Sequence, residues 1–585
     1  MMEKNIPRKE YPRPQFERQE WMNLNGEWNF KFDRENQGEK EKWYLEQHFD
    51  KKIIVPFTYE TKASGIGEEI FCPNVWYQKS VAVPSEYEKK NIILHFQAAD
   101  YITKVWVNGT FVGKKRGGQI AFSFNITDYL DEKLELNIVV KIEDSQSCFQ
   151  PRGKQRWLEN SYECWYVQTT GIWQTVWLEF LNEAHLETVK ITPDIDKESV
   201  EFEYEISDDT YQSLELRTSI SFNGMQVKSF EQTVIRRVQT IITNIASEFH
   251  HWRVLHWSPQ SPNLYDIEFT LYKNGIEVDK VKSYFGMRKI SIENGNVLLN
   301  NIPIYQKLIL DQGYWGESHL TPPSDEAIVE DIDRTLEMGF NGVRKHMKVE
   351  DQRYLYWADK KGLLVWSEMA ATYEFSDEAI QNFTEEWIEV VKQHYNHPSI
   401  ITWTPFNESW GIKNVYTDRK QQTFTEGIYY LTKAMDSMRP VIVNDGWEHT
   451  ISDIITLHDY EEYGDRFLKR YNNKEKIVNN EIAFNHSKHA MAKGYTYKGQ
   501  PIILSEYGGI AFDSEKGWGY GNQVTSEDDF LRRYESITQG IKNTPYISGF
   551  CYTQITDVQQ EINGLLNEDR VPKVDLKKIK TINDN

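Results

Sequence analysis

The residues Ile400-Ile401-Thr402-Trp403-Thr404-Pro405-Phe406-Asn407-Glu408 decide the fold. They read as an apolar strand that delivers two polar groups, Asn407 and Glu408, at its C-terminal tip. Pro501-Ile502-Ile503-Leu504-Ser505 is built the same way and delivers Glu506, followed by Tyr507-Gly508-Gly509. Around these two runs, from Gly295 onward, strand patterns alternate with helical ones. The candidate strands are 304–310, 342–345, 363–366, 400–404, 441–443, 454–457, 502–504 and 548–552. Eight is the number that a closed (β/α)8 barrel requires. Amphipathic segments at 324–338, with Ser324 as N-cap, at 377–394 and at 526–540 supply helices between them. The crossover from the sixth to the seventh strand is long, and part of 479–493 is expected to loop over the barrel mouth.

In such a barrel the working groups sit at the C-terminal ends of the strands, where the loops converge on one pocket. Every predicted strand end here carries polar or aromatic groups: Asp311 and Gln312, Arg344 and His346, Glu368, Asn407 and Glu408, Asn444 and Asp445, His458 and Tyr460, Glu506, then Gln554 with Asp557. Strand ends also meet solvent, so polarity alone is weak; convergence of eight such ends on one pocket favours chemistry. Strands four and seven face each other across an eight-stranded ring, so Glu408 and Glu506 can oppose one another. Retaining glycoside hydrolysis uses such a pair roughly 5–5.5 Å apart, one carboxylate as nucleophile and the other as acid and then base. Burial and the charge of its partner are expected to raise the pKa of the acid, Glu408, while donors such as Arg344 and Tyr460 keep the nucleophile, Glu506, ionised. An isolated strand-end Glu would more simply be an ion-paired surface group.

The rest of the chain is read outward from the barrel. At 585 residues it divides into three or four domains. From Leu24 to about Phe180 short alternating runs separated by turns give an all-β reading, with Asn108-Gly109 marking a type I′ hairpin between 105–107 and 110–113. Gly171-Ile172-Trp173-Gln174-Thr175-Val176-Trp177-Leu178-Glu179 reads as the last strand of that sandwich. A second β region, with strands near 201–206, 214–222 and 266–272, has the size of an immunoglobulin-like sandwich. The expected domains are therefore 1–182, 183–288 and 289–585, packed closely because no low-complexity linker separates them.

Lys and Arg number 67 against 88 Asp and Glu, a net charge of −21, which disfavours nucleic acid and anionic membrane surfaces as partners. A neutral carbohydrate suits it better, and 19 Trp, 33 Tyr and 28 Phe provide flat faces for sugar rings, although large β cores consume most of them. No stretch reaches the length of a membrane span, and the N-terminal residues lack the apolar run of a signal peptide. The cysteines, Cys72, Cys148, Cys164 and Cys551, have neither disulfide-framework nor zinc spacing. Asn407-Glu408-Ser409 is also a glycosylation sequon on the candidate catalytic residue. Together these lead to the expectation of a cytoplasmic location.

At Glu408 and Glu506 the sequence resembles glycoside hydrolase family 2, the family of β-galactosidases, β-glucuronidases and β-mannosidases. The resemblance runs through Leu24-Asn25-Gly26-Glu27-Trp28, Val105-Trp106-Val107-Asn108-Gly109 and 171–179, then Trp257-Ser258-Pro259-Gln260-Ser261-Pro262-Asn263-Leu264-Tyr265, Phe285-Gly286-Met287-Arg288-Lys289-Ile290 and the two barrel runs. It implies a jelly-roll sugar-binding domain, an immunoglobulin-like domain and a C-terminal TIM barrel. It further implies that Glu408 is the acid/base, Asn407 a ligand of the sugar 2-hydroxyl, Glu506 the nucleophile, Arg344 its support and Tyr460 its hydrogen-bond donor. The remaining candidate sugar contacts are His458, Asp311, Trp315 as a stacking platform, Glu368 and His346. Arg344-Lys345-His346 is one residue shorter than the family's Arg-x-x-His.

Where β-glucuronidases of the family carry Asn-x-Lys for the substrate carboxylate, this chain has Glu561-Ile562-Asn563 before Gly564. A glucuronide is thereby disfavoured, and an exo-β-glycosidase for a neutral sugar is expected, β-galactoside ahead of β-mannoside, β-glucoside or arabinoside, with a β-glucuronidase or β-mannosidase of the same family as the alternative. The extra carboxylate and His ligands that metal-dependent β-galactosidases of the family place near the acid/base are not found, so no required metal and no cofactor are expected; family members are commonly oligomeric, so a homo-oligomer is implied. Two alternatives are a carbohydrate-binding protein whose barrel is inactive, and an unrelated barrel enzyme; the latter would need the phosphate loop or strand-end Lys that the sequence lacks.

Overall fold

The structure, a computed structural model, describes residues 6–46, 49–207, 213–248, 251, 253–514 and 517–585. Its three layers of organisation are a jelly-roll sandwich, an immunoglobulin-like sandwich and a (β/α)8 barrel. In the first, a six-stranded antiparallel sheet faces a four-stranded one over a core that includes Trp28, Phe30, Tyr77, Leu94 and Phe180. The strands Ile102–Val107 and Thr110–Arg116 meet at Asn108 (φ 48°) and Gly109 (φ 78°), the two positive angles a type I′ turn requires. The run 171–179 departs from the single strand expected. It splits into Gly171–Ile172, paired with Ala99–Asp100, and Val176–Leu181, in the four-stranded sheet, because Trp173 turns inward and donates its indole N–H to Gly118 O at 2.8 Å.

The second sandwich has sheets of three and four antiparallel strands. Its strands include Ser199–Ile206, Leu214–Phe222 and Tyr265–Lys273, with Phe202, Tyr204, Phe269 and Phe285 in the core. Arg18 ties it to the first sandwich, donating to Glu179 and Asp279 at 2.8 Å each. It also seals the bottom of the barrel. Trp257 is buried in the barrel's interior cluster, and the Arg288 guanidinium donates to the carbonyls of Pro398 and Ile400, at the base of the fourth strand.

The barrel strands are Gln306–Asp311, Gly342–Lys345, Leu364–Glu368, Ile400–Thr404, Asn444–Asp445, Ile455–His458, Ile502–Gly508 and Ile547–Thr553. Seven form one parallel sheet in the order four, three, two, one, eight, seven, six. The fifth differs most from expectation. Val441 makes only a bridge to Trp403, and the paired residues are Asn444–Asp445, against Phe406–Asn407 just beyond strand four. His458 N–H to Gly446 O, 3.2 Å, links this short strand to the sixth.

Side-chain alternation divides the strands into two cores. Leu308, Leu310, Leu364, Trp366, Ile401, Ile442, Ile454 and Ile503 fill the interior. Ile309, Val343, Val365, Leu457, Leu504 and Phe550 face the helices with Ile328, Leu355, Trp387 and Ile537. Each fully buried aliphatic side chain contributes about 1.5–3 kcal/mol. The helices Asp325–Glu337, Asp377–His394 and Glu527–Lys542 start where Ser324, Ser376 and Ser526 accept hydrogen bonds from the first-turn N–H groups of Ala327, Ala379 and Asp529. Among the described residues no helix is long and apolar enough to cross a membrane. The segment after strand six packs over the loop that follows strand five: Glu448 N–H donates to His489 O and His449 N–H to Ala490 O, at 2.8 and 2.9 Å.

Candidate active site

Two backbone irregularities deliver the paired carboxyl groups. On strand seven Ile503 faces the interior and Leu504 the helices, so strict alternation would turn Ser505 in and Glu506 out. Instead the ladder slips: Leu457 pairs with Leu504 and His458 with Glu506, leaving Ser505 as an extra residue. This bulge re-aims Glu506 into the pocket. On the opposite side the chain beyond Asn407 turns left-handed, with φ 51° at Glu408 and 61° at Ser409. Such angles cost of order 1–3 kcal/mol at each non-glycine residue. They are held by Glu408 N–H to Asp445 O and Ser409 N–H to the Asn444 side-chain oxygen, both 2.9 Å.

Arg344 is the hub. Fully buried, it donates through Nε to Glu368 (2.7 Å) and through Nη1 to Glu506 Oε1 (3.0 Å) and Ser505 O (2.7 Å). Its Nη2 donates to Asn407 Oδ1 (3.0 Å) and lies 2.7 Å from Asp445 Oδ2. Because Arg344 takes the Asn407 oxygen, Nδ2 of that amide is left buried and without a partner, a donor available to a ligand. Tyr460 O–H donates to Glu506 Oε2 at 2.5 Å, and its ring stacks on Tyr520. His458 lies between the carboxyl groups, with Nδ1 2.8 Å from Glu408 Oε1 and 3.4 Å from Glu506 Oε2, and Nε2 2.8 Å from Asp445 Oδ2.

Burial alone would neutralise His458, but the charges of Glu506 and Asp445, with the hydrogen bonds to Asp445 and Glu408, push its pKa up to about 10. Its charge in turn corrects the expectation for Glu408. Burial does push that carboxyl up, yet the hydrogen bond and charge of His458, helped by Lys154 and Arg344, outweigh it and hold Glu408 below the usual carboxylate range. Asp445 is held low against burial by Arg344 and His458.

The structure thus brings together Glu408, Glu506, Asn407, Arg344, Tyr460, His458, Glu368 and His346. The last is neutral: burial and the nearby Lys154 lower its pKa, and Nδ1 is 3.0 Å from Glu368 Oε2. Two predicted contacts have other partners. Leu308 and Leu310 face the interior, so Asp311 points toward the helices, where it accepts from Lys345 Nζ at 2.7 Å and from Gly313 N–H at 2.8 Å. The Arg570 guanidinium lies over the Trp315 ring, 3.7 Å from its centroid, so one face of that indole is already occupied.

Asp445 was legible as a strand end but not as the bridge between Arg344 and His458. Wholly missed was Lys154, on a long loop of the first sandwich with no strand pattern, and Glu561 stood only as a departure from a motif. In the fold Glu561 accepts from Tyr166 O–H, Gln312 and Asn563. One ligand atom each from Glu408, His458 and Glu506 lie within 4.8 Å of one another, so these three could in principle hold a cation. With His458 protonated and both its nitrogens donating to carboxylates, the set is a poor ligand shell.

Comparison with known proteins agrees with this architecture over the whole chain. The family description "Glycosyl hydrolases family 2, TIM barrel domain" matches residues 290–585, "Glycosyl hydrolases family 2, sugar binding domain" matches 21–179, and "Glycosyl hydrolases family 2" matches 184–288. The chain belongs to glycosyl hydrolase family 2. Among curated relatives it is 24% identical to a β-galactosidase of Thermoanaerobacter pseudethanolicus over 77% of this chain and 61% of that protein. To a β-glucuronidase of Streptococcus agalactiae it is 22% identical over 95% of both. It spans 61%, 52% and 51% of the lengths of the first three relatives. A solved β-glucuronidase from Ruminococcus gnavus shares the fold, with a TM-score of 0.79 at 18% identity over 98% of both chains.

Proposed function

We propose that the protein is a retaining exo-β-glycosidase acting on a terminal neutral sugar, with β-galactosides favoured, in which Glu506 is the nucleophile and Glu408 the acid/base. The observation that carries this reading is the placement of an oxygen of each Glu and a His458 nitrogen within 4.8 Å of one another. So close an approach of one oxygen from each fits the 5–5.5 Å carboxyl separation of a retaining pair. Arg344 and Tyr460 orient the two Glu506 oxygens, and the free Asn407 Nδ2 is positioned to donate to the sugar 2-hydroxyl.

His458, its pKa pushed up to about 10 by the surrounding carboxylates, is the proton source for acid catalysis, with Nδ1 2.8 Å from Glu408 Oε1. Transfer of its proton across that bond gives the protonated acid. Glu408 then protonates the departing glycosidic oxygen as Glu506 attacks, and in the second step takes a proton from the water that releases the sugar. A cytoplasmic setting and assembly into a homo-oligomer remain part of this proposal.

The competing substrate is a β-glucuronide, which the names of several relatives and the presence of Lys154 in the pocket favour. Against it stands the charge inventory: Arg344, His458 and Lys154 face five carboxyl groups, Glu368, Asp445, Glu408, Glu506 and Glu561, before any substrate carboxylate enters. A panel of aryl β-glycosides decides between them; turnover of the glucuronide alone removes the neutral-sugar reading. Glu506→Gly tests the mechanism. Hydrolysis should vanish, and azide should restore release of the aglycone by attacking the anomeric carbon from the α face that Glu506 occupied, giving the α-glycosyl azide. A variant that azide does not rescue would remove Glu506 as nucleophile.

A further inference from the structure

The segment that crosses from strand six to strand seven is linked to Glu408 through residues that the mechanism above does not use. Its turn at 484–488 is closed by Phe484 N–H to Lys488 O and Lys488 N–H to Phe484 O, at 3.0 and 2.9 Å. Beyond the turn the chain runs alongside the loop that follows strand five. Glu448 N–H donates to His489 O, His449 N–H to Ala490 O and Ala492 N–H to His449 O, at 2.8, 2.9 and 2.9 Å. The two loops are thus clasped by backbone hydrogen bonds, and Lys488 Nζ is set over the Trp447 ring, 4.8 Å from its centroid.

Glu448 is buried and spends its two oxygens differently. Oε1 accepts from Lys488 Nζ at 3.2 Å, and Oε2 accepts from Ser409 O–H at 3.0 Å. An ion pair that only fastened the two loops would need Lys488 alone; the second oxygen holds the residue that follows Glu408. The Ser409 hydroxyl also accepts from Asn444 Nδ2 at 3.0 Å, and the same Nδ2 donates to Trp447 O at 2.8 Å. Glu408, Ser409 and Glu448 are all left-handed, with φ of 51°, 61° and 52°. Such conformations in non-glycine residues persist where neighbours over-determine them, and they concentrate at functional sites. The carboxyl end of Glu408 is held from the same loop. The Trp447 ring packs edge-on against His458, with centroids 5.6 Å apart, and His458 Nδ1 is 2.8 Å from Glu408 Oε1.

We propose that Glu448, anchored by Lys488, is a positioning residue for the acid/base: through Ser409 it fixes the left-handed turn that aims the Glu408 carboxyl at the glycosidic oxygen. This rests on the reading of Glu408 as the acid/base. The crossover between strands six and seven thereby acts on the protonation of the leaving group. A misaimed acid slows only a step that needs its proton. A 2,4-dinitrophenolate departs without protonation, whereas the far more basic 4-methoxyphenolate depends on it, so the two aglycones separate loss of aim from general damage to the pocket.

The test compares the full-length protein with its Glu448→Ala variant on the 4-methoxyphenyl and 2,4-dinitrophenyl β-glycosides of the sugar that the wild type hydrolyses best. In the variant kcat/KM, which reports the first step, should fall about 100-fold on the 4-methoxyphenyl glycoside and stay within about 3-fold on the other. Equal losses on both, or no loss on the 4-methoxyphenyl glycoside, overturn the assignment. Glu408→Ala is measured beside it. A loss confined to the 4-methoxyphenyl glycoside in Glu408→Ala but absent from Glu448→Ala overturns the positioning role alone. Equal losses on both glycosides in Glu408→Ala overturn the acid/base reading and the proposal with it. Should Glu448→Ala melt below the assay temperature, Ser409→Ala, which leaves the Glu448 and Lys488 pair in place, takes its part and is judged by the same outcomes.

Discussion

Asp311 and Glu506 end the first and seventh strands of the same barrel, both are buried, and both accept hydrogen bonds from a cation on strand two, yet they face opposite sides of the barrel wall. Strand one keeps its alternation, so with Leu308 and Leu310 inward Asp311 turns outward to Lys345. Strand seven inserts Ser505, and the bulge brings Glu506 inward to Arg344. On strand two Arg344 and Lys345 are successive residues on opposite faces, and each serves one of these carboxylates. A strand-end carboxylate therefore says little about function until its face is known, and one inserted residue can reverse that face.

The largest expected effect separates the two carboxylates directly. Glu506→Gln should lower kcat by on the order of 10⁴-fold or more. Asp311→Asn should leave activity within a few-fold; both variants break a buried ion pair, at about 3 kcal/mol of stability, so activity is what separates them. Steady-state kinetics and denaturant unfolding of both variants measure this; a large loss of activity in the folded Asp311 variant would return that residue to the sugar site.

A smaller effect appears in the pH dependence of stability. His458, raised to about 10 in the fold, contributes stability that is fully present below its ordinary pKa near 6.5 and is lost as pH rises through about 10. The melting temperature should therefore fall between pH 7 and 10, and His458→Gln should flatten that limb. Asp311 has the opposite sign. Burial pushes its pKa up, but Lys345 outweighs this and holds it low, so its contribution is present above about pH 4 and is lost on acidification. Asp311→Asn should flatten only the acid limb. Thermal melts across the range read both, and an alkaline limb unchanged in His458→Gln would mean that His458 is neutral in the folded protein.

Much of this was legible without coordinates. Strand count, helix caps and the Asn108-Gly109 hairpin follow from local rules, because apolar period, capping chemistry and positive φ preference act over a few residues. The catalytic candidates at 408 and 506 emerge from strand-end position and the family resemblance. The cation over Trp315 was not legible for a nonlocal reason: Arg570 is distant in sequence. Asp311 is instructive in another way, since alternation from Leu308 and Leu310 already pointed it outward, and the strand-end rule was applied without it.

By itself, the sequence determined a three-domain chain with a barrel, two carboxylates at facing strand ends and a pocket without the family's uronate motif. Only the tertiary structure decided which strand ends face inward, that the His458 ring lies between Glu408, Glu506 and Asp445, and that a loop of the first sandwich docks in the barrel mouth. The reason is physical. Periodicity and capping are local properties of the chain, whereas a bulge, a histidine among carboxylates and a docked loop depend on which distant groups come within a few ångströms.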